Sequence, residues 1–290
     1  MGSSFSSETA VTRRGEGRFE AEIGEAWTLQ PLPQGGVVTA VALRAMAAEL
    51  DDPAQRLRTL HTTYVAQVGH GPVEIDVEVL RRGRSLSQLR AAVTNPGAKA
   101  GHVTTAVFGA TRRGYSFTDL APPAGVRPPL ECPSFRDPLP DGVEGDGEEP
   151  PFWATRLEGR AMIGHPWWED YVPDRAESAI WFRFDETPWS DDGALDPLAL
   201  VVMADTMPGA VGERLGRQEE RWFAPSVDLT VHVLDTCRSP WVLGHNRARY
   251  AGDGYASADM ALWDCGPDGT DPVPRLVAYA TQLFIFTFAG

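Results

Sequence analysis

The sequence predicts an α+β protein made of two copies of one unit, each a single apolar helix wrapped by a curved antiparallel sheet. Three observations predict it. A Pro-rich, acidic stretch divides the chain near its middle, the same order of helix and strands recurs on either side of it, and the βαβ alternation that a parallel sheet needs is missing. Doubly wound sheets and TIM barrels are thereby set aside.

The divider runs from Asp119 to Pro151. It carries Pro122, Pro123, Pro128, Pro129, Pro133, Pro138 and Pro140 and then the run DGVEGDGEE, a composition that reads as a linker. The expected organisation is a disordered leader over 1–15, a first repeat over 16–118, the linker over 119–151 and a second repeat over 152–290. The leader begins MGSSFS, which fits a myristoylation pattern but reads as a small, Ser-rich disordered end.

In the first repeat, Phe19 to Ile23 opens the sheet. The helix GGVVTAVALRAMAAEL follows, with Val38, Val41, Ala42 and Ala45 at helical spacing, and DDP closes it at Pro53. Next come LRTLHTTYVAQV, a hairpin in VEIDVEVLRRGRSLSQLRAAV around Arg82-Gly83-Arg84, and HVTTAVFGAT. In the second repeat, Trp181 in SAIWFRFDE opens the sheet. Asp196-Pro197 caps and starts the helix LALVVMAD, and Pro208-Gly209 is expected to stop it. SVDLTVHVL, a hairpin turning at Asp253-Gly254 and PRLVAYATQLFIFTF complete the unit. Trp153, Trp167 and Trp168, just past the linker, either pack on the second repeat or cover a channel.

Composition excludes several functions. With 40 acidic and 26 basic residues the formal charge is −14, which disfavours nucleic acid and anionic membrane surfaces as partners. The apolar runs near Val37 to Leu50 and Leu198 to Ala204 are too short to span a bilayer, and no signal-peptide core precedes them. Cys132, Cys237 and Cys265 are odd in number and far apart, suggesting neither a zinc site nor a disulfide framework, so a cytoplasmic protein is expected. No Gly-X-Ser-X-Gly elbow, HEXXH, phosphate-binding loop or dinucleotide fingerprint is present. The six histidines lack ligand spacing, so neither a metal nor a cofactor is expected.

Three polar residues stand in apolar company. Asp205 ends the helical face Leu198, Val201, Val202, and is either a buried carboxylate in need of partners or a solvated helix end, with Pro208 close behind. Gln282 lies between Ala280 and Phe284 on one face of a strand that is apolar on nearly both, so its amide needs a partner, structural or catalytic. Ser226 starts the alternating strand SVDLTVHV and is an ordinary strand-start residue or a hydroxyl used in chemistry.

Together with the repeat, these residues resemble the acyl-CoA thioesterase II family, the double-hotdog thioesterases. The resemblance rests on Gly35-Gly36, LRTLHTTYV and VEVLRRGRS in the first half, and on MADT, SVDLTVHV and VAYATQ in the second. It implies a tandem hotdog fold and a catalytic Asp, Thr or Ser, and Gln, which fall on Asp205, Ser226 and Gln282. Ser in place of the commoner Thr keeps the hydroxyl and loses the methyl that restricts its rotamer. Superposed by these motifs, the first repeat offers Ala42, Leu57 and Val107 instead, implying one active site per chain.

The implied chemistry is hydrolysis of fatty acyl-CoA to free acid and CoA. Asp205 would act as general base on a water that Ser226 and Gln282 position, with no covalent enzyme intermediate. Arg81, Arg82 and Arg84, with Arg247 and Arg249, are candidates for the CoA phosphates or else solvated turn and strand faces. Alternatives are a non-catalytic acyl-CoA binding protein and a hotdog enoyl-CoA hydratase or dehydratase, which would need a His that Asp205 lacks nearby in sequence. Open sheet edges suggest a homo-oligomer.

Overall fold

The computed structural model describes residues 4–143, 150–166, 168–169, 171–218 and 220–288. Met1 to Ser3 of the leader, 144–149 of the acidic run, and Trp167 lie outside the described residues. The first repeat contains α1 (Ser4–Glu8), β1 (Thr12–Gly15), β2 (Arg18–Ile23), α2 (Gly35–Leu50), β3 (Arg56–Tyr64), β4 (Gly71–Arg81), β5 (Leu86–Thr94) and β6 (His102–Gly109). The second contains α3 (Pro151–Thr155), β7 (Leu157–Ile163), β8 (Glu177–Phe184), α4 (Pro197–Ala204), α5 (Gly209–Leu215), β9 (Trp222–Phe223), β10 (Asp228–Val233), β11 (Val242–Gly252), β12 (Tyr255–Asp264), β13 (Arg275–Ile285) and β14 (Thr287–Phe288).

Twelve strands form one sheet, in the order β1-β2-β4-β5-β6-β3-β10-β13-β12-β11-β8-β7. The two halves of that order mirror one another about the antiparallel seam of β3 and β10, where Thr59 to Thr63 pairs with His232 to Asp228. His61 Nδ1 and Thr230 Oγ1 are 2.9 Å apart across this seam. Each central helix packs inside its own half, α2 on β4 to β6 and α4 on β10 and β12, and the helices touch each other. Every residue from Leu198 to Ala204 is buried, as expected of a helix apolar on all sides and enclosed by α2 and the sheet. One continuous apolar core therefore runs through both repeats.

Three segments differ from expectation. Residues 4–15 are not a disordered leader: Phe5 is fully buried, with its ring centroid 5.8 Å from that of Trp27 and 5.1 Å from that of Phe184. Part of the 119–151 linker packs as well. Arg127 accepts a hydrogen bond from Trp181 Nε1 at 2.9 Å, Ser134 pairs with Arg160, and Cys132 joins a second apolar cluster with Trp181, Trp241 and Trp263. Pro208-Gly209 does not end the helical region but starts α5, because Pro is compatible with the opening turn of a helix, where no backbone N–H is needed. Trp153 packs against Phe135, Phe152 and Phe182, on the second repeat.

Phe5 joins aromatic residues of both repeats, so Phe5→Ala should lower stability by about 3–5 kcal/mol, the usual range for emptying a buried Phe site. Urea denaturation followed by tryptophan fluorescence measures it, and a loss below about 1 kcal/mol would show that the N-terminal helix contributes little.

Candidate active site

The site forms where the end of α4 meets the start of α2. Gly35 and Gly36 permit the approach. A Cβ on Gly35 would lie 2.8 Å from Tyr64 Cε1 and 2.9 Å from Asp205 Oδ2, and one on Gly36 would lie 2.9 Å from the Val201 carbonyl oxygen. Gln34 stitches the two helices together. Its Oε1 accepts from the Val37 N–H at 2.9 Å, capping α2, while its Nε2 donates to the carbonyls of Val202 at 3.0 Å and Asp205 at 3.1 Å.

Asp205 directly follows α4 and is only 6% exposed, which removes the solvated helix-end alternative. Its Oδ2 accepts the Gly36 N–H at 2.8 Å, at the positive end of the 16-residue α2. Its Oδ1 accepts from Ser226 Oγ at 3.3 Å and from Gln282 Nε2. Gln282 Nε2 also donates to Ser226 Oγ at 2.8 Å. The structure thus brings Asp205, Ser226 and Gln282 into one hydrogen-bonded group.

Backbone pairing sets this geometry. Ser226 bridges to Phe284, the Val227 N–H donates to the Leu283 carbonyl at 2.8 Å, and the Leu283 N–H donates to Asp228 Oδ1 at 2.8 Å. The hydroxyl of the segment entering β10 therefore lies beside the inward-facing amide of β13. Gln282 Oε1 is buried with no partner among the described residues, which leaves it free to accept from an O–H group.

Burial pushes the Asp205 pKa up to about 6, against the opposing effect of its donors, Gly36, Gln282, Ser226 and Tyr64. Tyr64, at the end of β3, is the residue that sequence reasoning missed. Burial and the neighbouring Asp205 charge hold its pKa well above the ordinary tyrosine range, so it stays a neutral O–H. The buried hydroxyl has no well-formed hydrogen bond among the described residues. His102 packs edge-on against the Tyr64 ring at 4.7 Å, and burial lowers its pKa to about 4, leaving it neutral. Among the described residues no cluster of His, Cys, Asp and Glu could hold a metal ion, and no helix is long and apolar enough to cross a membrane.

Residues 129–286 match the family model described as the acyl-CoA thioesterase C-terminal domain, and residues 23–109 match that of the N-terminal domain. The chain belongs to the acyl-CoA thioesterase family. No curated protein matches the sequence significantly. Among solved structures, a conserved protein of unknown function with a hot dog fold from Alicyclobacillus acidocaldarius is 24% identical, with a TM-score of 0.79 over 99% of this chain and 98% of that one. Acyl-CoA thioesterase II TesB2 from Mycobacterium marinum is 18% identical, with a TM-score of 0.73 over 99% of each chain. The tesB protein of Mycobacterium avium subs paratuberculosis is 17% identical, with a TM-score of 0.70 over 98% of each. The mirrored sheet with two enclosed helices is accordingly a double hotdog, and this thioesterase is a thioester hydrolase.

The predicted arginines separate. Arg82 donates to the carbonyls of Leu50 at 2.6 Å and Glu49 at 3.1 Å, closing the C-terminal end of α2, and Arg81 and Arg84 are exposed on the same hairpin. Asp205 lies at the opposite end of that helix, roughly 24 Å away at 1.5 Å per residue, so these three do not border the Asp205, Ser226 and Gln282 group. Arg247 pairs with Glu177 at 2.9 Å and Arg249 pairs with Asp259, and both line a groove of about 550 Å³ beside α5 together with Arg175 and Arg214. In that groove Ala248 pairs with Ala258, which pairs with Gln282 two strands, roughly 10 Å, away, but Arg247 alternates to the other face of the sheet, in the row of Asp259 and the exposed Thr281, and Arg249 pairs with Asp259 on that face. In the first repeat, Ala42, Leu57 and Val107 offer no polar side chain. Val107 is also on the wrong face of β6: its neighbours Ala106 and Phe108 are the ones buried inward, as Gln282 is.

A carboxyl whose folded pKa is raised from 3.8 to about 6 favours the fold when protonated. This contribution is fully present below about pH 4 and is lost as pH rises through 6, an effect of about 3 kcal/mol at 1.36 kcal/mol per unit. Asp205→Asn should remove that part of the pH dependence and make the protein more stable than wild type at pH 7.5, as read from urea denaturation at several pH values.

Proposed function

We propose that this thioesterase hydrolyses fatty acyl-CoA to free acid and CoA, with Asp205 as general base for a water that Ser226 and Gln282 hold. The observation that carries the reading is the buried carboxylate with a pKa near 6, joined to a hydroxyl and an amide in one group. A base in this range is ionised at neutral pH and basic enough to take a proton as the water attacks. Gln282 Oε1 supplies a second acceptor to orient that water. The proton passes to Asp205 and then to the departing CoA sulfur as the C–S bond breaks.

The tetrahedral oxyanion needs donors, and the neutral Tyr64 O–H beside Asp205 is suited to be one. The CoA phosphates are assigned to the groove beside α5 with Arg175, Arg214, Arg247 and Arg249, a local group of arginines in a chain of net charge −14. A cytoplasmic location, a role in lipid metabolism and homo-oligomer formation belong to the same reading; β1 leaves one edge of the sheet unpaired.

The test is thiol release from short-, medium- and long-chain acyl-CoAs. Wild type should turn over at least one of them, with kcat/KM falling as pH drops below about 6. Asp205→Asn and Gln282→Ala should lose at least about 100-fold in kcat while remaining folded, the scale of a lost acid–base group. Tyr64→Phe should lower kcat by about 10²- to 10³-fold with little change in KM, as for a donor used in the transition state. Normal turnover by Asp205→Asn would overturn the assignment. Binding of acyl-CoA without turnover of any chain length would favour a binding protein.

A further inference from the structure

A cavity of about 1220 Å³ lies away from Asp205, at the other end of the helix pair. Its position follows from the mirrored fold. The catalytic group is built from the end of α4, the entry to β10, the end of β13, the start of α2 and the end of β3. The cavity is lined by the mirror set: Leu43 and Ala47 in the later half of α2, Leu57 at the entry to β3, Phe108 at the end of β6, Leu198 at the start of α4 and Val233 at the end of β10. Leu57 pairs with Phe108 just as Ser226 pairs with Phe284. The mirror position thus keeps a cavity, with the apolar Leu57 and Ala106 where Ser226 and Gln282 stand in the second repeat.

Two further features point to a ligand. Gln55 lines the cavity and is 6% exposed; its Nε2 donates to Asp52 at 2.7 Å and to the Gly83 carbonyl at 2.9 Å, but its Oε1 has no donor among the described residues. A buried acceptor of this kind calls for an N–H or O–H group. Arg56, Arg58 and Arg112 line the β3 and β6 side, where Arg58 donates to the Gly109 carbonyl and Arg112 to Ser85 Oγ, and none has an ion pair among the described residues. Asp191, Asp192 and Asp235 line the α4 side, so an anionic head is admitted only along the arginines.

We infer that this cavity is a second acyl-thioester site, which binds without hydrolysing. The apolar wall takes the acyl chain, Gln55 Oε1 accepts from a pantetheine amide N–H, and Arg56, Arg58 and Arg112 face the phosphates. The ligand class rests on the proposed thioesterase reading. With Leu57 where the hydroxyl would be needed, and with Ala106, two residues before Phe108 as Gln282 is before Phe284, where the amide would be, the water-holding pair has no counterpart there.

The test is calorimetric titration of the full chain with dodecyl-CoA, a thioether that has no carbonyl to hydrolyse. Wild type should bind two per chain. Ala47→Trp, at an exposed lining position that leaves the fold unstrained, should bind one, and Arg56→Glu with Arg112→Glu should weaken the second event at least tenfold; both should keep the wild-type kcat for dodecanoyl-CoA. One site per wild-type chain, or two that persist in Ala47→Trp, would overturn the inference. So would dodecanoate competing for the second site as strongly as the thioether, since a carboxylate has no proton for Gln55. Two sites without turnover would remove the hydrolase reading and leave the second site standing; turnover with one site would do the reverse.

Discussion

The contact on which this structure depends is the meeting of two helix ends, the start of α2 and the end of α4. Gly35 and Gly36 leave no side chain between the helices, Gln34 ties them, and the Gly36 N–H holds the Asp205 carboxylate. An ionised carboxylate inside an apolar core is unfavourable unless donors surround it. Here a helix N-terminus, an amide and a hydroxyl offset part of that penalty, and what remains appears as the raised pKa. In the proposed mechanism this residual destabilisation makes the group basic enough for proton transfer, so stability and the proposed activity pull against each other at this residue.

Duplication accounts for the rest of the architecture. One antiparallel seam between β3 and β10 joins two half-sheets, and the two central helices pack on each other inside one apolar core. The seam also carries Tyr64, from the first repeat, to the carboxylate of the second. The candidate site is therefore a property of the fused pair. The mirror position, lined by Leu57 and Phe108, keeps a cavity without counterparts of Ser226 and Gln282.

Much of this was legible in the sequence because hydrophobic period and turn residues report burial directly. The helices at Gly35 and Pro197, both long hairpins and the repeat follow from that signal. Asp205, Ser226 and Gln282 were visible for a related reason, as polar residues where the pattern calls for apolar ones. Tyr64 was not, since a tyrosine ending an alternating strand is ordinary, and Gln34 is an uncommon helix cap. The N-terminal helix escaped because five residues around Phe5 are too few for periodicity. The packing of 127–137 escaped because it depends on single contacts, such as Trp181 to Arg127, which no composition reveals. The arginines carried charge without address: only the fold shows that Arg82 caps the far end of α2 while Arg247 pairs with Glu177 on the outer face of the sheet.

The central claim is that Asp205 acts on a water and does not itself attack the thioester. A single turnover of acyl-CoA by excess enzyme in H2(18)O, followed by mass spectrometry of the acid and of the peptide containing Asp205, tests it most directly. Asp205 acting as general base predicts one 18O atom in the first acid released, none in the peptide, and no acyl adduct on the peptide when the reaction is quenched mid-turnover, an adduct that an anhydride opened at its acyl carbon would leave despite giving the same label. Unlabelled acid from that first turnover, with 18O in the Asp205 carboxyl, would mean a covalent acyl-aspartyl intermediate and would contradict it.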